Sequence, residues 1–446
     1  MRRLVAAGAS AVACFFTVLL LVALATQPAR AADWSDLEQR IAELEATTVR
    51  TGSRTLSLHV YGQVNRAVLF WNDGFDSGVY GVDNHTSSSR IGFAGQAVIR
   101  PGWTAGYRLE FETAFPSSHE VFNGPGGANA IDPIFGPLGA VPRIRQSYWD
   151  IVSKDLGRVS VGFQSPATDD ITIINLGSQM NDAAVHYNNA FRIRLDLLTP
   201  PIVTNLTWGQ IAHNVDSLRG YFVRYDTPIL HGFLLSTAWN DDVWDVALRY
   251  QNGSHGFRFA GGIGYMRDAR DFDITKPRER PFEDLKGSAS LIHETSGLYV
   301  SVAGGLRDAA VEVPTAGHQA YFHYAQFGIS KLWFDLGKTT FYVDHGVYKN
   351  FNTGEILSIN PDNQAVQWGT LVDTQVRRWG FGMEQALDAA NMLLYAQAHF
   401  YDPSIVGYPC TFAGPDPKVC GGDPSKTTKL PAASWQGFVI GARIQF

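Results

Sequence analysis

The chain has few charges, few cysteines and hardly any long apolar segments, and each shortage excludes a class of protein. Charged residues make up 17% of the 446 residues, below the quarter that is usual in soluble domains. After residue 31 no long uncharged apolar run follows, so no membrane-spanning helix is expected there. The formal net charge of -6 becomes -9 without Arg2, Arg3 and Arg30. No basic stripe remains, which excludes nucleic-acid binding.

Aromatic residues and glycine are abundant instead. Aromatics reach 12% of the chain and there are 44 glycines, a composition that suits short strands with one apolar face. The length alone would allow two or three soluble domains, although a β-barrel of this size can form a single domain.

The first 31 residues are predicted to be a secretory signal peptide. Arg2 and Arg3 supply its positive charge, residues 4–25 are apolar, and the triplet Ala29-Arg30-Ala31 fits a cleavage site. The apolar stretch also approaches the lower limit for a spanning helix, so an uncleaved membrane anchor is one alternative. Lipidation at Cys14 is another.

A short helical segment is predicted between this leader and the first strand, over residues 33–50. Trp34, Leu37, Ile41 and Leu44 occupy the a and d positions of two heptads. Two heptads are too few for a stable isolated helix, so a coiled coil would need other chains. We interpret the segment as a periplasmic oligomerisation stalk. An amphipathic helix lying against the barrel rim is the alternative.

Only two cysteines, Cys410 and Cys420, remain after the leader, in a segment rich in proline and glycine. An exported chain meets an oxidising compartment, so we predict a disulfide between them. Two free thiols are the alternative. A zinc site is disfavoured because no histidines nearby would complete its ligand shell. No metal or other cofactor is expected.

From residue 55 to residue 446 the hydrophobic pattern has a period of two. The segment 103–112 shows it, with an apolar face and a polar face that alternate: Trp103, Ala105, Tyr107, Leu109 and Phe111 against Thr104, Gly106, Arg108, Glu110 and Glu112. One such strand also fits a soluble sandwich. However, the pattern returns in many segments of about ten residues, the length of a tilted strand that crosses a bilayer.

The connections between these segments support a membrane barrel. Short turns, such as Pro101-Gly102, alternate with mostly longer loops, such as residues 116–142, as expected for outer-membrane barrels. Backbone amides in lipid must be paired within the protein, so the sheet must close. We predict an all-β transmembrane antiparallel barrel of sixteen to eighteen strands over residues 55–446. The count is eighteen if segments 191–197 and 202–210 belong to the barrel, and sixteen if they form a hairpin in a loop.

Aromatic residues gather near the predicted strand ends, where they favour the membrane interface: Trp71, Trp103, Tyr148, Trp149, Trp239, Trp244, Trp333, Trp379 and Trp435. The last strand alternates apolar residues up to an aromatic carboxy terminus: Phe438, Ile440, Ala442, Ile444 and Phe446. Arg443 and Gln445 point the other way.

Several segments resemble the general bacterial porins, in particular those of alphaproteobacteria: residues 56–72, 89–95, 156–164, 223–227 and 231–233, with the final Phe446. This resemblance implies a homotrimer in the outer membrane of a Gram-negative bacterium, with a periplasmic amino terminus. It also implies passive diffusion of small hydrophilic solutes and ions. The barrel-insertion machinery would recognise Phe446. Members of the family commonly have sixteen strands, so a count of eighteen would depart from it.

The resemblance also places a third external loop inside the lumen, from Ser165 to about Val185. Its acidic residues, Asp169, Asp170 and Asp182, would face basic side chains of the early strands: Arg90, Arg108, Arg158 and, where the alternation falters, Arg145. Glu110 and Glu112 share that polar face. Opposed charges across a narrow pore orient dipolar solutes. The alternative is that these charges only form solvated salt bridges along the wall.

The sequence leaves three alternatives to a porin: an enzyme, a structural barrel and a substrate-specific channel. An enzyme is disfavoured because nothing indicates an activated serine, a phosphate-binding loop or a metal-ligand spacing. His323 and His345 are the only strand histidines with polar neighbours. A structural barrel is disfavoured because side chains cannot fill a lumen of this width. A substrate-specific channel for sugars or organic acids, with a larger inward loop, is the strongest alternative.

Overall fold

The computed structural model describes these residues: 57–113, 116–124, 142–180, 183, 188–197, 201–270, 281–309, 319–358, 367–410, 412–413, 420–423 and 425–446. The predicted signal peptide, the predicted stalk and Asp182 lie outside the described residues.

Sixteen antiparallel strands form the barrel. They are β1 His59–Asn72, β2 Arg90–Arg100, β3 Trp103–Glu112, β4 Arg143–Ser153, β5 Gly157–Gln164, β6 Gly220–Asp226, β7 Phe233–Asn240, β8 Val243–Ser254, β9 Phe257–Asp268, β10 Phe282–His293, β11 Leu298–Ala309, β12 Gln319–Phe334, β13 Gly337–Lys349, β14 Gln367–Leu387, β15 Met392–Pro409 and β16 Trp435–Gln445. Each strand pairs with the next, and β16 pairs with β1 from Gln63 opposite Gln445 to Asn72 opposite Gln436. The barrel is therefore closed, and the prediction of an all-β antiparallel barrel is confirmed with sixteen strands.

The strand alternation separates an outer from an inner face. On β1, Val64 and Val68 point outward and are 45% and 41% exposed, whereas Ala67 and Leu69 point inward and are buried. Outward apolar side chains continue around the barrel and suit a lipid-facing belt. The buried inward residues show that something inside the lumen covers part of the wall.

The connections differ between the two ends of the barrel. Short turns join the strands at the end that carries both β1's start and the carboxy terminus, and mostly longer loops join them at the other end. The loops contain short elements: strands Ser77–Asp83, Arg192–Leu195, Ile202–Thr207, Ile356–Ser358, Phe412–Ala413, Cys420–Gly421 and Thr428–Leu430, with helix Trp208–Ile211 and 3-10 helix His85–Ser87. A further 3-10 helix, Asp388–Ala390, lies in a turn. Among the described residues no helix has the length and apolarity to cross a membrane.

The count of eighteen strands is wrong because one hairpin is not part of the barrel. Strands Arg192–Leu195 and Ile202–Thr207 pair with each other in a separate two-stranded sheet, and Leu195 also forms an isolated bridge with Ala432 in the loop before β16. The hairpin alternates like a membrane strand because one of its faces, with Phe191 and Ile193, is fully buried. That face packs inside the barrel: the Phe191 ring lies 5.0 Å from the Trp71 ring.

Two aromatic side chains expected at the membrane interface therefore pack against the hairpin inside the barrel, and a third, Tyr148, lies on the inner wall opposite Arg108. Trp71 is 4% exposed and Trp435 is fully buried, and the Phe191 ring lies 5.4 Å from the Trp435 ring. By contrast, Trp239 and Trp379 are 59% and 51% exposed on the outer surface.

Candidate pore constriction

One long connection, residues 165–219 between β5 and β6, runs inside the lumen; we call it the inner loop. Its first pass, from Thr168 to Met180, is hydrogen-bonded to one wall strand after another. The Thr168 amide donates to Asp245 on β8 (2.6 Å), and Ser288 Oγ on β10 donates to the Ile171 carbonyl (2.6 Å). The Leu176 amide then donates to Ser290 Oγ on β10 (3.0 Å). The pass thus follows the inner wall from β8 onward.

The far end of this pass is held by a buried carboxylate. Glu384 on β14, only 2% exposed, accepts from Ser178 Oγ (2.6 Å) and from the amides of Gln179 and Met180 (both 3.0 Å). Arg443 on β16 donates to Gln179 Oε1 (2.7 Å). Hydrogen bonds to a charged acceptor are stronger than neutral ones, so this end of the loop is firmly attached.

The second pass returns along the same wall, nearer the loop end of the barrel. The Trp208 ring lies 5.7 Å from Tyr401 of β15, and Asn205 donates to the Ile356 carbonyl (3.2 Å). Val215 then accepts from Lys286 of β10 before the chain enters β6. The inner loop therefore lines the wall twice, and its limit is residue 219, not about 185 as expected.

Glycines on the wall allow this close approach. A Cβ added at Gly264 would lie 2.6 Å from Thr168 Cγ2, and one at Gly305 would lie 2.5 Å from Val215 Cγ2. Both distances are shorter than real carbon contacts, so any side chain there would push the inner loop into the lumen.

The wall of β2, β3 and β4 stays uncovered. Within the described ranges, no hydrogen bond or ion pair joins the inner loop to these strands. Arg145 of β4 lies 2.7 Å from Glu110 of β3 and 4.0 Å from Glu112, and Tyr61 also donates to Glu110 (2.9 Å). The negative charges of Glu110 and Glu112 both act on the Arg90 guanidinium.

Three carboxylates of the inner loop face this wall. Asp169, Asp170 and Asp216 each place an oxygen within 4.8 Å of the other two. Arg219 Nη2 lies 3.6 Å from Asp169 Oδ2, and the charges of Arg219 and Arg145 act on Asp170. The loop side of the opening therefore carries three carboxylates with Arg219, and the wall side carries Arg90 and Arg145 with Glu110 and Glu112.

Crowding affects the protonation of this acidic cluster. Burial raises the pKa of Asp216 well above its usual range, and the neighbouring charges of Asp169 and Asp170 raise it further. The side chain keeps partial contact with the lumen, so its charge state bears on permeating ions.

The structure separates the predicted site residues into two groups. Arg90, Arg145, Glu110 and Glu112 lie together on the uncovered wall, facing Asp169 and Asp170. Arg108 is on the same wall, with its guanidinium 5.6 Å from the Tyr61 ring. Arg158 lies nearer the turn end and pairs with Asp150 (2.7 Å) and Asp226 (3.9 Å). It thus forms a wall salt bridge, which was the alternative interpretation.

Sequence reasoning missed Asp216, Arg219 and Arg443. The first two lie on the return pass, beyond the expected end of the loop. Arg443 carried a signal, since it alternates with the apolar face of the last strand, but nothing in the sequence brings it near Gln179.

Two predictions concern the end of the chain. The predicted disulfide between Cys410 and Cys420 involves a side chain, that of Cys420, which lies outside the described residues. The Phe446 amide donates to the Gly62 carbonyl (3.1 Å), and the Gly62 amide donates back to the Phe446 carbonyl (2.9 Å). The terminal residue therefore extends the seam that closes the barrel.

A closed sixteen-strand barrel with a loop folded into its lumen defines a pore-forming outer-membrane protein. A model of the Gram-negative porin family matches residues 17–404. The chain belongs to this family, and it is an outer-membrane channel for passive diffusion. Both the family and the fold are those of a non-enzymatic channel.

Solved structures share the fold at low sequence identity. The anion-selective porin from Comamonas acidovorans is 13% identical with a TM-score of 0.51, covering 88% of this chain and 100% of its own. OmpT, an outer membrane protein of Vibrio cholerae, is 14% identical with a TM-score of 0.50, covering 90% and 99%. A trimer form of OmpT is 13% identical with a TM-score of 0.50, covering 88% and 100%. No curated protein matches the chain.

Proposed function

We propose that solutes pass between the inner loop and the wall of β2 to β4. The observation that carries this proposal is the position of the inner loop, which lines the lumen from β8 to β16 and leaves the early strands uncovered. Small hydrophilic solutes and ions would cross there. Groups that rim this passage include Arg90 and Arg145 on the wall, and Asp169, Asp170 and Asp216 with their neighbour Arg219 on the inner loop.

The charges would select solutes by their electrostatics. Opposed charges at a narrow point create a transverse field that aligns dipolar molecules and disfavours apolar ones. Glu110 and Glu112 neutralise part of the arginine side, so the balance of charge at the opening is set by few residues. Arg108 would act on solutes that have already passed the narrowest point.

A substrate-specific channel is the second candidate, and the size of the inner loop favours it. The return pass, with its own hairpin and the helix Trp208–Ile211, occupies lumen that a shorter loop would leave open. A narrower opening makes contacts between solute and wall unavoidable.

Single-channel recordings distinguish the two candidates. A general porin is expected to conduct in proportion to bulk salt, with no saturation and no block by sugars or organic acids. A specific channel is expected to show current block by one solute class, at concentrations near its binding constant. Failure of the purified protein to conduct at all would contradict both.

We also propose a homotrimer, supported by the trimer form of OmpT. Residues 1–31 would be removed as a signal peptide, and residues 33–50 would form the periplasmic stalk. Light scattering of the purified protein, with and without residues 33–50, tests this assembly. A stable monomer in both cases would contradict it.

We further propose that Cys410 pairs with Cys420 in the last external loop. The strand pairing of Ala413 with Cys420 brings the two ends of this segment together. Non-reducing peptide mapping is expected to find the two cysteines in one linked peptide pair, and Cys420 recovered as a free thiol would contradict it.

A further inference from the structure

Lys286 is a buried cation that no step of solute passage uses. It lies on the inner face of β10 behind the inner loop, and its side chain is fully buried. Its ammonium group donates to the Val215 carbonyl and to Ser217 Oγ, both at 2.5 Å. The nearest wall carboxylate, Asp284, is 4.0 Å away and is already held by two hydrogen bonds from Arg307.

A second buried charge lies across the loop. Asp245 of β8 is fully buried and accepts from the amide and the hydroxyl of Thr168, at 2.6 and 2.8 Å. Thr168 Oγ1 lies 2.7 Å from Ser217 Oγ. Thr168 belongs to the first pass of the inner loop and Ser217 to the second, so this contact joins the two passes.

The acceptors around this link set the direction of its hydrogen bonds. A carboxylate only accepts, so the Thr168 hydroxyl donates its single proton to Asp245. The Ser217 hydroxyl accepts from Lys286 and has two acceptors within reach, Thr168 Oγ1 at 2.7 Å and the weak acceptor Met266 Sδ at 3.2 Å; donation to Thr168 completes the link. An ammonium and a carboxylate of the barrel wall are thus connected through two hydroxyl groups of the loop. The link adds to the other contacts of the two charges: Asp245 also accepts from the amides of Thr168 and Ala238, and Asp284 lies 4.0 Å from Lys286.

The same chain fixes the acidic cluster. Thr168 is followed by Asp169 and Asp170, and Ser217 is preceded by Asp216. Val215 adopts a φ of 49°, a conformation that β-branched residues avoid, and Lys286 holds its carbonyl in that position. The Asp216 carboxylate in turn accepts from the Asp170 amide (3.1 Å) and the Ser217 amide (3.0 Å).

We propose that Lys286 is a positioning residue for ion selectivity, because its link through Ser217 and Thr168 to Asp245 holds the three loop carboxylates together at the opening. This inference rests on the proposed constriction. Lys286 would act on ion selectivity only through the positions of these carboxylates, because it does not contact a permeating ion itself.

The sign of the effect separates positioning from simple charge. Loss of a positive charge near the lumen would by itself favour cations. Loss of positioning disperses the carboxylates and favours anions. We therefore expect the reversal potential of Lys286→Met, measured in a salt gradient across a planar bilayer, to shift toward anion preference. The double variant Thr168→Val with Ser217→Ala removes the link without changing any charge and is expected to shift it in the same direction.

Two further variants complete the test. Asp216→Asn is expected to shift toward anions, and adding Lys286→Met to it should produce little more, since both act through one cluster. Ser290→Ala removes a loop contact away from the cluster and should leave the potential unchanged. A cation shift in Lys286→Met, or no shift in the Thr168 and Ser217 variant, overturns the positioning role while Asp216→Asn still reports the constriction. These potentials are measured at a pH above the raised pKa of Asp216, where its carboxylate is ionised. No shift in Asp216→Asn under that condition overturns both.

Discussion

Neutralising the acidic and the basic groups at the opening is expected to move ion selectivity in opposite directions. Asp169→Asn, Asp170→Asn and Asp216→Asn together should shift the reversal potential toward anions. Arg90→Gln, Arg145→Gln and Arg219→Gln together should shift it toward cations, because charge at the narrowest point dominates the field that an ion crosses. In a tenfold gradient of monovalent salt the potential cannot exceed about 59 mV, and we expect shifts on the order of 10 mV.

A matched control separates local from global charge. Lys154 and Asp155 lie in a short turn outside the lumen. Lys154→Gln removes a positive charge and Asp155→Asn removes a negative charge, and neither substitution alters the opening. They should leave the potential unchanged.

Acidification of the wild-type channel offers a second test. The pKa of Asp216 is raised, so Asp216 is expected to lose its negative charge at a higher pH than an ordinary aspartate. The cation preference of the channel should therefore begin to decline at that higher pH. Equal potentials in all variants would place the selective region elsewhere.

Deleting Phe446 is expected to remove most assembled protein from the membrane. The residue exchanges two backbone hydrogen bonds with Gly62 of β1, at the seam between the last strand and the first. An amide left unpaired in hydrocarbon costs roughly several kcal/mol, so a frayed seam is costly. The side chain is 63% exposed, which leaves it accessible to the proposed insertion machinery.

Heat-modifiable mobility of the membrane fraction measures this loss. Phe446→Tyr retains an aromatic terminus and both backbone bonds, and it should assemble like the wild type. The few deleted barrels that do insert should conduct normally, since alternation along β16 places Phe446 on the outer face of the barrel, like Ile444 opposite the outward Val64. Full insertion of the deletion variant would contradict the assembly role.

Strand alternation predicted the barrel well because its cause is local. On β3 the pattern placed Arg108, Glu110 and Glu112 on one face, and the structure puts all three on the inner wall. The long loop expected after this strand also lies between β3 and β4. A strand that separates lipid from a polar lumen must alternate, so the sequence carries this information residue by residue.

The same signal failed where a second apolar environment existed. The hairpin of Arg192–Leu195 and Ile202–Thr207 buries one face against Trp71 and Trp435 rather than against lipid. Alternation reports burial on one side, not the identity of what lies there. Only strand pairing shows that the two strands of this hairpin are not part of the barrel sheet.

The site was predictable in part for the same reason. Arg90, Arg145 and the two glutamates follow from strand periodicity together with family resemblance. Asp216 and Arg219 depend on how far the inner loop extends, and Lys286 on what covers the wall behind it. Those are long-range contacts, between residues separated by 69 positions for Lys286 and Ser217, and no local pattern encodes them.

Chemical accessibility tests most directly where the passage lies. Arg90→Cys places a thiol on the uncovered wall, and Ser290→Cys places one on the wall behind the inner loop, where Ser290 is 1% exposed. Single-channel current is recorded before and after adding a charged hydrophilic thiol reagent, with the wild type as control. The account predicts that the current of Arg90→Cys falls on modification and that Ser290→Cys and the wild type keep theirs. Block of Ser290→Cys with an unaffected Arg90→Cys would place the passage on the other side of the loop and contradict the account.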